Sequence, residues 1–332
     1  MRTGKRVVPI EQVLPLLACP RTRAPLRLSA DGTELVSEEG ANRYPIIDGI
    51  PRLFAQETGL TQVLKENWGY KWAINEDILD YQENLFWDNV APPLTPDFFR
   101  GKTVLDACCG AGVPDKAVAE AGARLVVGFD VSRAVEIAQR RTAALRRNFF
   151  VQTDLFDMPF RGASFDVVIC VAALHHLISP ADGFALLKTM VRPGGTLIIW
   201  VYAYEGTAFV RHFVEPLRRL ACRGLPAPAL NEISRGMALA LCFASRSYRV
   251  LGTLPAVGGL ARGLPLYDYL IYTSKWPFNK VHEMVLDQLI APITHYIERR
   301  QIEGWFGRDF TDVHISSLNR MSWRAVGVVA GA

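Results

Sequence analysis

The sequence lacks paired cysteines, long apolar runs and a strong excess of either charge. Its six cysteines among 332 residues include no Cys-x-x-Cys pair, which argues against a disulfide framework and against the usual zinc-ligand spacing. The longest apolar run, residues 236–245, is far short of the roughly 20 residues that a membrane-spanning helix needs. The first residues contain no signal-peptide core. We therefore expect a cytoplasmic protein with no transmembrane segment.

The composition is that of a globular protein, with 50% apolar and 21% charged residues. The formal net charge of +4 is mild and would permit an anionic ligand. A nucleic-acid-binding protein would concentrate its basic residues in a dense patch, and no such stripe is visible. We therefore expect no nucleic-acid partner. The sequence does not indicate the oligomeric state.

Punctuation by Pro, Gly and Asp divides the chain into five segments. The core is predicted by continuous apolar strands that alternate with helices, which is typical of a parallel sheet covered by helices on both faces. The sequence thus predicts an α/β fold. The predicted segments are a small β-rich module at 1–56, a helical linker or lid at 57–100, the α/β core at 101–202, a helical insert at 203–290, and a C-terminal helix with two closing strands at 291–332.

Three carboxylates occur at predicted strand ends, 24 residues apart along the chain. In an open α/β sheet ligands bind at the carboxyl ends of the strands, so Asp106, Asp130 and Asp154 should lie along one rim. Gly110 and Gly112 follow the first of them and would let the backbone approach a ligand closely. An acid at a strand end is often only a turn former, but three in phase indicate a nucleoside-binding site.

The stretches "VLDACCGAG", "VVGFDVS", "QTDLFDMPFRGASFDVVICVAALHHL" and "RPGGTLIIWVY" resemble the ordered motifs of class I S-adenosylmethionine-dependent methyltransferases. The nearest group is the methyltransferase type 11, ubiquinone-biosynthesis-like enzymes. The resemblance is strong over about residues 101–202, moderate over the tail and weak over the insert. It implies a Rossmann-like seven-stranded, mostly parallel sheet, with the helical insert after the fifth core strand, and S-adenosylmethionine as the cofactor.

The resemblance also implies a role for individual residues of the core. The loop from Asp106 to Gly112 would hold the methionine part of the cofactor, Asp130 would bind the ribose, and Asp154 the adenine. The expected cofactor-binding residues are Asp106, Ala107, Cys108, Gly110, Gly112, Asp130, Val131, Asp154, Leu155 and Val171. Cys108 departs from the family pattern, which has glycine there, and its side chain is expected to reduce cofactor affinity without abolishing it.

The N-terminal stretch "LLACPRTRAPLRL" and "ANRYPIIDGIPRLF" resembles the small zinc-ribbon-like domain of methyltransferase-activator proteins. That domain holds zinc with paired cysteines, whereas here Cys19 has no partner at Thr22, and Ser37 and Glu39 fall near the second pair. One cysteine cannot build a tetrahedral site. We expect a degenerate module with no metal, acting as a docking or lid element.

Methyl transfer from a sulfonium needs an aligned acceptor and, where the acceptor carries a proton, a base. His176 follows the fourth core strand and is a candidate base, while His175 is expected to cap or pack. Tyr202, at the end of the fifth core strand, is a second candidate for the acceptor site. The arginines of the insert fit a small-molecule or amphiphilic acceptor, or else a solvated helix face.

Three other functions remain open at this stage. A nicotinamide-dependent oxidoreductase would have glycine at position 115, where the sequence has Asp115. A catalytically silent cofactor-binding or regulatory protein would explain the degenerate module and the altered glycine loop. An RNA methyltransferase is the third alternative, favoured by the activator-like module.

Overall fold

The structure, a computed structural model, describes residues 8–222, 224–254, 258–263, 266–318 and 320–331. Two sheets organise these residues, a four-stranded antiparallel sheet near the N-terminus and a seven-stranded sheet. The small sheet, in the order β1-β2-β3-β4, consists of β1 (Leu26–Leu28), β2 (Glu34–Ser37), β3 (Arg43–Ile47) and β4 (Ile50–Pro51).

Two helices connect the small sheet to the core. The first begins after Thr58, whose side chain accepts from the backbone N–H of Thr61 in a capping box. These helices are α1 (Gly59–Ile74) and α2 (Leu79–Leu85). The arm that they form lies within the predicted linker at 57–100.

The seven-stranded sheet has the order β10-β11-β9-β8-β5-β6-β7. Strands β5 to β9 pair in parallel, and β11 pairs with β9 and β10 in the antiparallel sense. The core elements are β5 (Thr103–Ala107), α3 (Val113–Glu120), β6 (Leu125–Asp130), α4 (Ala134–Thr142), β7 (Asn148–Gln152), β8 (Phe165–Val171), α5 (Pro180–Met190) and β9 (Val191–Tyr202).

Helices occupy the insert after the fifth core strand, and the chain then returns to complete the sheet. The insert contains α6 (Glu215–Ala221), α7 (Ala227–Thr253), α8 (Gly258–Arg262), α9 (Tyr267–Thr273) and α10 (Phe278–Ile290). The final elements are α11 (Arg299–Phe306), β10 (Phe310–Leu318) and β11 (Ser322–Val329). The predicted fold class, with its closing antiparallel hairpin, is confirmed. The proposed domain boundaries stay a prediction.

Successive side chains of the central strands enter apolar clusters on opposite faces of the sheet, because strand side chains alternate. In β5, Leu105 packs in one cluster with Phe129, and Val104 packs in the other with Val126. Both faces of the sheet are therefore covered by apolar side chains, as the continuous apolar runs predict. No helix in the described ranges combines the length and apolar character needed to cross a membrane.

The N-terminal module docks against the β7 edge of the large sheet. The Arg52 guanidinium donates to Gln152 Oε1 at 2.8 Å and to Glu136 Oε1 at 2.9 Å, and the backbone N–H of Leu53 donates to the Gln152 carbonyl at 2.9 Å. Asp157 accepts from the backbone N–H of Ala55 at 2.9 Å. The module thus holds the loop that follows β7, next to Asp154.

Within the module, the residues that resemble zinc-ligand positions bond to their neighbours. Cys19 Sγ lies 3.2 Å from the Tyr44 hydroxyl, and the Thr22 hydroxyl donates to Glu39 Oε1 at 2.6 Å. In the described ranges no group of three or more His, Cys, Asp or Glu side chains is arranged to hold a metal ion.

Candidate active site

A cavity of about 320 Å³ opens at the carboxyl ends of the parallel strands. The core strands supply one wall, and the arm and the insert supply the other. The predicted residues that line it are Asp106, Cys108, Asp130, Val131, Asp154, Leu155, Val171, His176 and Tyr202. Ala107, Gly110 and Gly112 are absent from its lining. The in-phase carboxylates therefore do converge on one rim, as the spacing predicted.

The loop after β5 has backbone angles that favour glycine at three positions. Cys108, Gly110 and Gly112 have φ of 57°, 52° and 75°. A Cβ at Gly110 would lie 2.6 Å from the Trp72 ring, and one at Gly112 would lie 2.7 Å from Ala138 Cβ. The absence of a side chain at Gly110 thus leaves room for Trp72 of α1, and its absence at Gly112 leaves room for α4. Cys108 has a left-handed conformation in which a side chain is strained.

Asp130 holds this loop as well as facing the cavity. Its Oδ2 accepts from the backbone N–H of Gly110 at 3.0 Å, and its Oδ1 accepts from the backbone and hydroxyl of Ser132 at 2.8 and 2.7 Å. Burial raises the pKa of Asp130, and the Ser132 bonds oppose that rise. One Oδ2 lone pair stays available for a ribose hydroxyl.

Asp106 and Asp115 form a buried carboxyl pair beneath the loop. Burial raises the pKa of Asp106 well above its usual range, with further increase from Asp115. Burial also raises the pKa of Asp115, to about 7. Asp106 Oδ2 is buried and has no hydrogen-bond partner in the described structure. An ammonium group placed there would satisfy that oxygen and favour the ionised pair.

Asp154 follows β7 and lines the cavity. Its Oδ1 accepts from the backbone N–H of Phe156 at 2.9 Å and caps a short 3-10 helix. Leu155 beside it is buried. The free carboxylate oxygen and this apolar neighbour fit the amino edge and the face of an adenine. Asp106, Asp130 and Asp154 thus place three carboxylates along one rim of the cavity.

The two adjacent histidines after β8 differ in their contacts. His176 Nδ1 lies 2.9 Å from the Ile293 carbonyl, which can only accept, so Nδ1 carries a proton. Its Nε2 lies 3.6 Å from Asp287 Oδ2. His175 is fully buried, its Nδ1 accepts from the Tyr202 backbone N–H at 3.4 Å, and burial lowers its pKa well below the usual range.

Asp287 of α10 lines the cavity together with His176 and Tyr202. This residue was not predicted from the sequence. It accepts from the Tyr202 hydroxyl at 2.8 Å and is also bonded by the Lys71 ammonium. Burial opposes it, but Lys71 holds the pKa of Asp287 well below its usual range. Burial and Asp287 raise the pKa of Tyr202 well above its usual value, so Tyr202 is a neutral donor that positions Asp287.

Lys71 and Glu283 complete a buried charge cluster between α1 and α10. Lys71 Nζ lies 2.8 Å from Glu283 Oε1, and Lys280 Nζ lies 2.7 Å from Glu283 Oε2. The signal in the sequence is the pair of acids at 283 and 287, one helical turn apart within an apolar helix. Its basic partner is 216 residues away from Asp287, which no local pattern reveals.

Two protein families match parts of this chain. The methyltransferase domain family matches residues 105–199, and the Trm112p-like protein family matches residues 11–49. These ranges lie in the sequence segments that carried the two resemblances. They confirm both the methyltransferase recognition and the activator-like character of the N-terminal module.

Curated relatives match mainly over the core. A tRNA U34 carboxymethyltransferase of Alcanivorax borkumensis is 32% identical over 130 residues, 38% of this chain and 40% of the relative. A demethylmenaquinone methyltransferase of Clavibacter sepedonicus is 32% identical over 111 residues, 33% of this chain and 45% of the relative. The chain thus spans less than half the length of these relatives.

Among solved structures, a complex of the Haloferax volcanii Trm112 methyltransferase activator with a methyltransferase covers 81% of this chain and 98% of its own. Its identity is 14% and its TM-score is 0.47.

The expected partners, a small-molecule or amphiphilic acceptor and no nucleic acid, were wrong. Several relatives that match the core are named as tRNA-modifying enzymes. The error came from using the net charge of the whole chain and the absence of a dense basic stretch in the sequence, because the contacts that hold a nucleic acid depend on where the charges lie in the folded protein. The site and both family matches agree on the core: the chain contains a methyltransferase domain of the S-adenosylmethionine-dependent class at residues 105–199, preceded by a Trm112p-like module at residues 11–49.

Proposed function

We propose that this protein transfers the methyl group of S-adenosylmethionine to a nucleoside of tRNA. The observation that carries the proposal is the second half of the cavity, which continues from the cofactor rim into a chamber walled by aromatic rings. These rings belong to Trp68, Trp200, Tyr202, Tyr269, Tyr272, Trp276 and Tyr296. Enzymes that modify a base bring it out of the stack and hold it between such side chains.

The names of the curated relatives support the same acceptor class. Four of the relatives with 30% identity or more are tRNA U34 carboxymethyltransferases. The carboxymethyl group in that name differs from the methyl group that the family match indicates. In this chain the two lysines that line the cavity, Lys71 and Lys280, are both paired with carboxylates, so among the described residues no unpaired lysine there favours a carboxylated donor.

The residues of the cleft would hold the cofactor and align the acceptor. Asp106 would face the amine, Asp130 the ribose and Asp154 the adenine. The bound cofactor supplies an electrophilic methyl on a sulfonium. Trp72, packed on Gly110, closes the arm over the loop and excludes water from the reacting groups.

His176 is the base in this proposal. Its Nδ1–H is held by the Ile293 carbonyl, so Nε2 would accept the proton of the acceptor's hydroxyl or amide as the new bond to carbon forms. Nε2 is buried, and the acceptor would reach it by displacing the side chains that cover it. Asp287 Oδ2, 3.6 Å from the same Nε2, would stabilise the resulting imidazolium by its negative charge. Tyr202 and Lys71 position Asp287.

The test uses the full chain with methyl-labelled S-adenosylmethionine and total tRNA, followed by mass spectrometry of the nucleosides. We expect one nucleoside to gain a methyl mass. His176→Gln should lower kcat by about 100-fold or more without weakening cofactor binding, whereas His212→Gln, at an exposed position outside the cavity, should leave kcat unchanged.

Three results would contradict the proposal. Label recovered only in small molecules would exclude the tRNA acceptor. A carboxymethyl mass, formed when a carboxylated S-adenosylmethionine is supplied together with the labelled cofactor, would exclude methyl as the transferred group. Cofactor binding with no transfer to any fraction would favour the catalytically silent alternative.

A further inference from the structure

The insert presents an apolar surface that the cavity does not use. Helix α7 buries Leu230, Ala238 and Cys242 in a cluster with α10. On its opposite side it exposes Leu239, Phe243 and Val250, followed by Leu254 directly after the helix, with exposed fractions of 61%, 76%, 60% and 44%. Leu260 of α8, which packs on α7, is 81% exposed. We call these five exposed side chains the insert face.

Exposed apolar side chains scattered singly are ordinary, but a row along one helix is not. At 3.6 residues per turn, Leu239, Phe243 and Val250 follow one another along a single stripe of α7. The stripe lies on the side away from α10. Such a surface marks a place where the molecule meets an apolar medium or partner.

Arginines follow one flank of this stripe. Arg235, Arg246 and Arg249 are exposed. By helical spacing Arg235 and Arg246 lie between the stripe and the buried side, and Arg249 lies beyond them near the C-terminal end of α7. Within the described ranges none of the three forms an ion pair. Residues 203–266 contain eight arginines against three glutamates, with no lysine or aspartate.

We propose that the insert face docks on an anionic lipid surface, with Phe243, Leu239 and Val250 entering the acyl boundary. An amphipathic helix that is too charged to span a bilayer, with basic residues flanking its apolar side, lies in the membrane interface. The arginine side chains extend along the apolar surface and keep their charges at the headgroups.

The two other occupants fit these observations less well. A second copy paired through the same face in two-fold symmetry would bring the arginine flanks of both copies into one interface. The arginines would repel one another there, because Glu232 is the only exposed acid on α7. RNA would use the arginines, but it would leave the aliphatic Leu239, Val250 and Leu260 without a complementary partner. This inference does not depend on the proposed acceptor.

The experiment is flotation of the full chain with vesicles of phosphatidylcholine, alone and mixed with phosphatidylglycerol. We expect flotation with the mixed vesicles that weakens as salt is added. Phe243→Ser with Val250→Ser should abolish it. Arg246→Gln with Arg249→Gln should lower the partition coefficient on the order of tenfold or more. All four positions are exposed, so the unfolding midpoint should stay unchanged.

Matched controls change the same residue classes elsewhere. Ile47→Ser with Val63→Ser removes apolar side chains that are 48% and 41% exposed, and Arg27→Gln with Arg308→Gln removes two exposed charges. Both control pairs should float like the wild type.

Several outcomes would overturn the inference. One is no flotation with anionic vesicles, or flotation unaffected by the Phe243 and Val250 changes. A dimer in light scattering that becomes monomeric after those changes, without flotation, would identify a second copy as the occupant. Loss of tRNA retention after the Arg246 and Arg249 changes, with flotation intact, would assign the flank to RNA.

Discussion

At the scale of single residues, Cys108 shows how one side chain departs from the pattern around it. The family resemblance has glycine there, and the structure gives Cys108 a φ of 57°, where glycine is the favoured residue. The hydrogen bond with Cys170 and burial raise the pKa of the Cys108 thiol. The Cys108 thiol therefore stays protonated and is not a nucleophile, and the backbone at Cys108 is strained.

Replacing Cys108 by glycine should stabilise the protein. We expect the free energy of unfolding to rise by about 1 kcal/mol, because relief of the left-handed strain outweighs the added chain entropy. Urea unfolding at constant m-value measures this change. Cys109→Gly is the matched control and should lower stability, since Cys109 is buried at a position without positive φ. A loss of stability in Cys108→Gly would show that the strain is absent.

The buried carboxyl pair makes stability depend on pH. The pKa of Asp115 in the folded protein is about 7, against an ordinary value of 3.8, so the folded state binds more protons between these values. The contribution of Asp115 to stability is then greatest below about pH 4 and falls as the pH rises from about 4 to 7. Asp115→Asn should reduce this slope by about 1.4 kcal/mol per pH unit. An unchanged slope in urea unfolding across this range would exclude the raised pKa.

The same pair should couple cofactor binding to protons. An ammonium group beside Asp106 favours the ionised carboxylates, so the affinity for S-adenosylmethionine should fall as the pH drops below about 7. Calorimetry in buffers of different ionisation enthalpy would detect the released protons. Equal affinity at low and high pH, with no proton release, would place the cofactor's amine elsewhere.

At the scale of elements, the cluster between α1 and α10 fixes the arm to the insert. Lys71→Met would leave Asp287 and Glu283 buried without their shared cation. Such a loss costs about 3 kcal/mol or more of stability. Lys71→Met with Asp287→Leu should cost less than the sum of the single changes, and a double-mutant cycle by urea unfolding measures the difference.

Lys188→Met provides the comparison on the surface. Lys188 pairs with Asp309, and the two side chains are 32% and 66% exposed. Removing this pair should cost less than about 1 kcal/mol. Equal costs for Lys71→Met and Lys188→Met would mean that the α1–α10 cluster is not desolvated.

The elements also show what the sequence can and cannot predict. The buried strands were predicted because parallel strands covered on both faces are apolar along their whole length, and the rim carboxylates because each βα unit repeats the same geometry. The partner of Asp287 was missed because tertiary packing, not spacing, brings Lys71 to it. The place at which the module contacts the core was not predicted for the same reason, since Arg52 and Gln152 are 100 residues apart.

At the scale of the whole molecule, three parts converge on one cavity. The Trm112p-like module holds the loop beside Asp154, the arm covers the glycine loop with Trp72, and the insert supplies Asp287. Net charge predicted nothing reliable about partners, because it averages the arginine-rich insert with the rest of the chain. Local charge and local exposure carry that information.

The most direct test of the account is a calorimetric titration of the full chain with S-adenosylmethionine, with NAD as the comparison ligand. We expect binding of S-adenosylmethionine and none of NAD. Asp130→Asn and Asp154→Asn together should weaken that binding strongly, whereas Asp97→Asn, at an exposed position outside the cavity, should leave it unchanged. Undiminished affinity in the double variant would contradict the carboxylate-edged cofactor cleft on which the whole account depends.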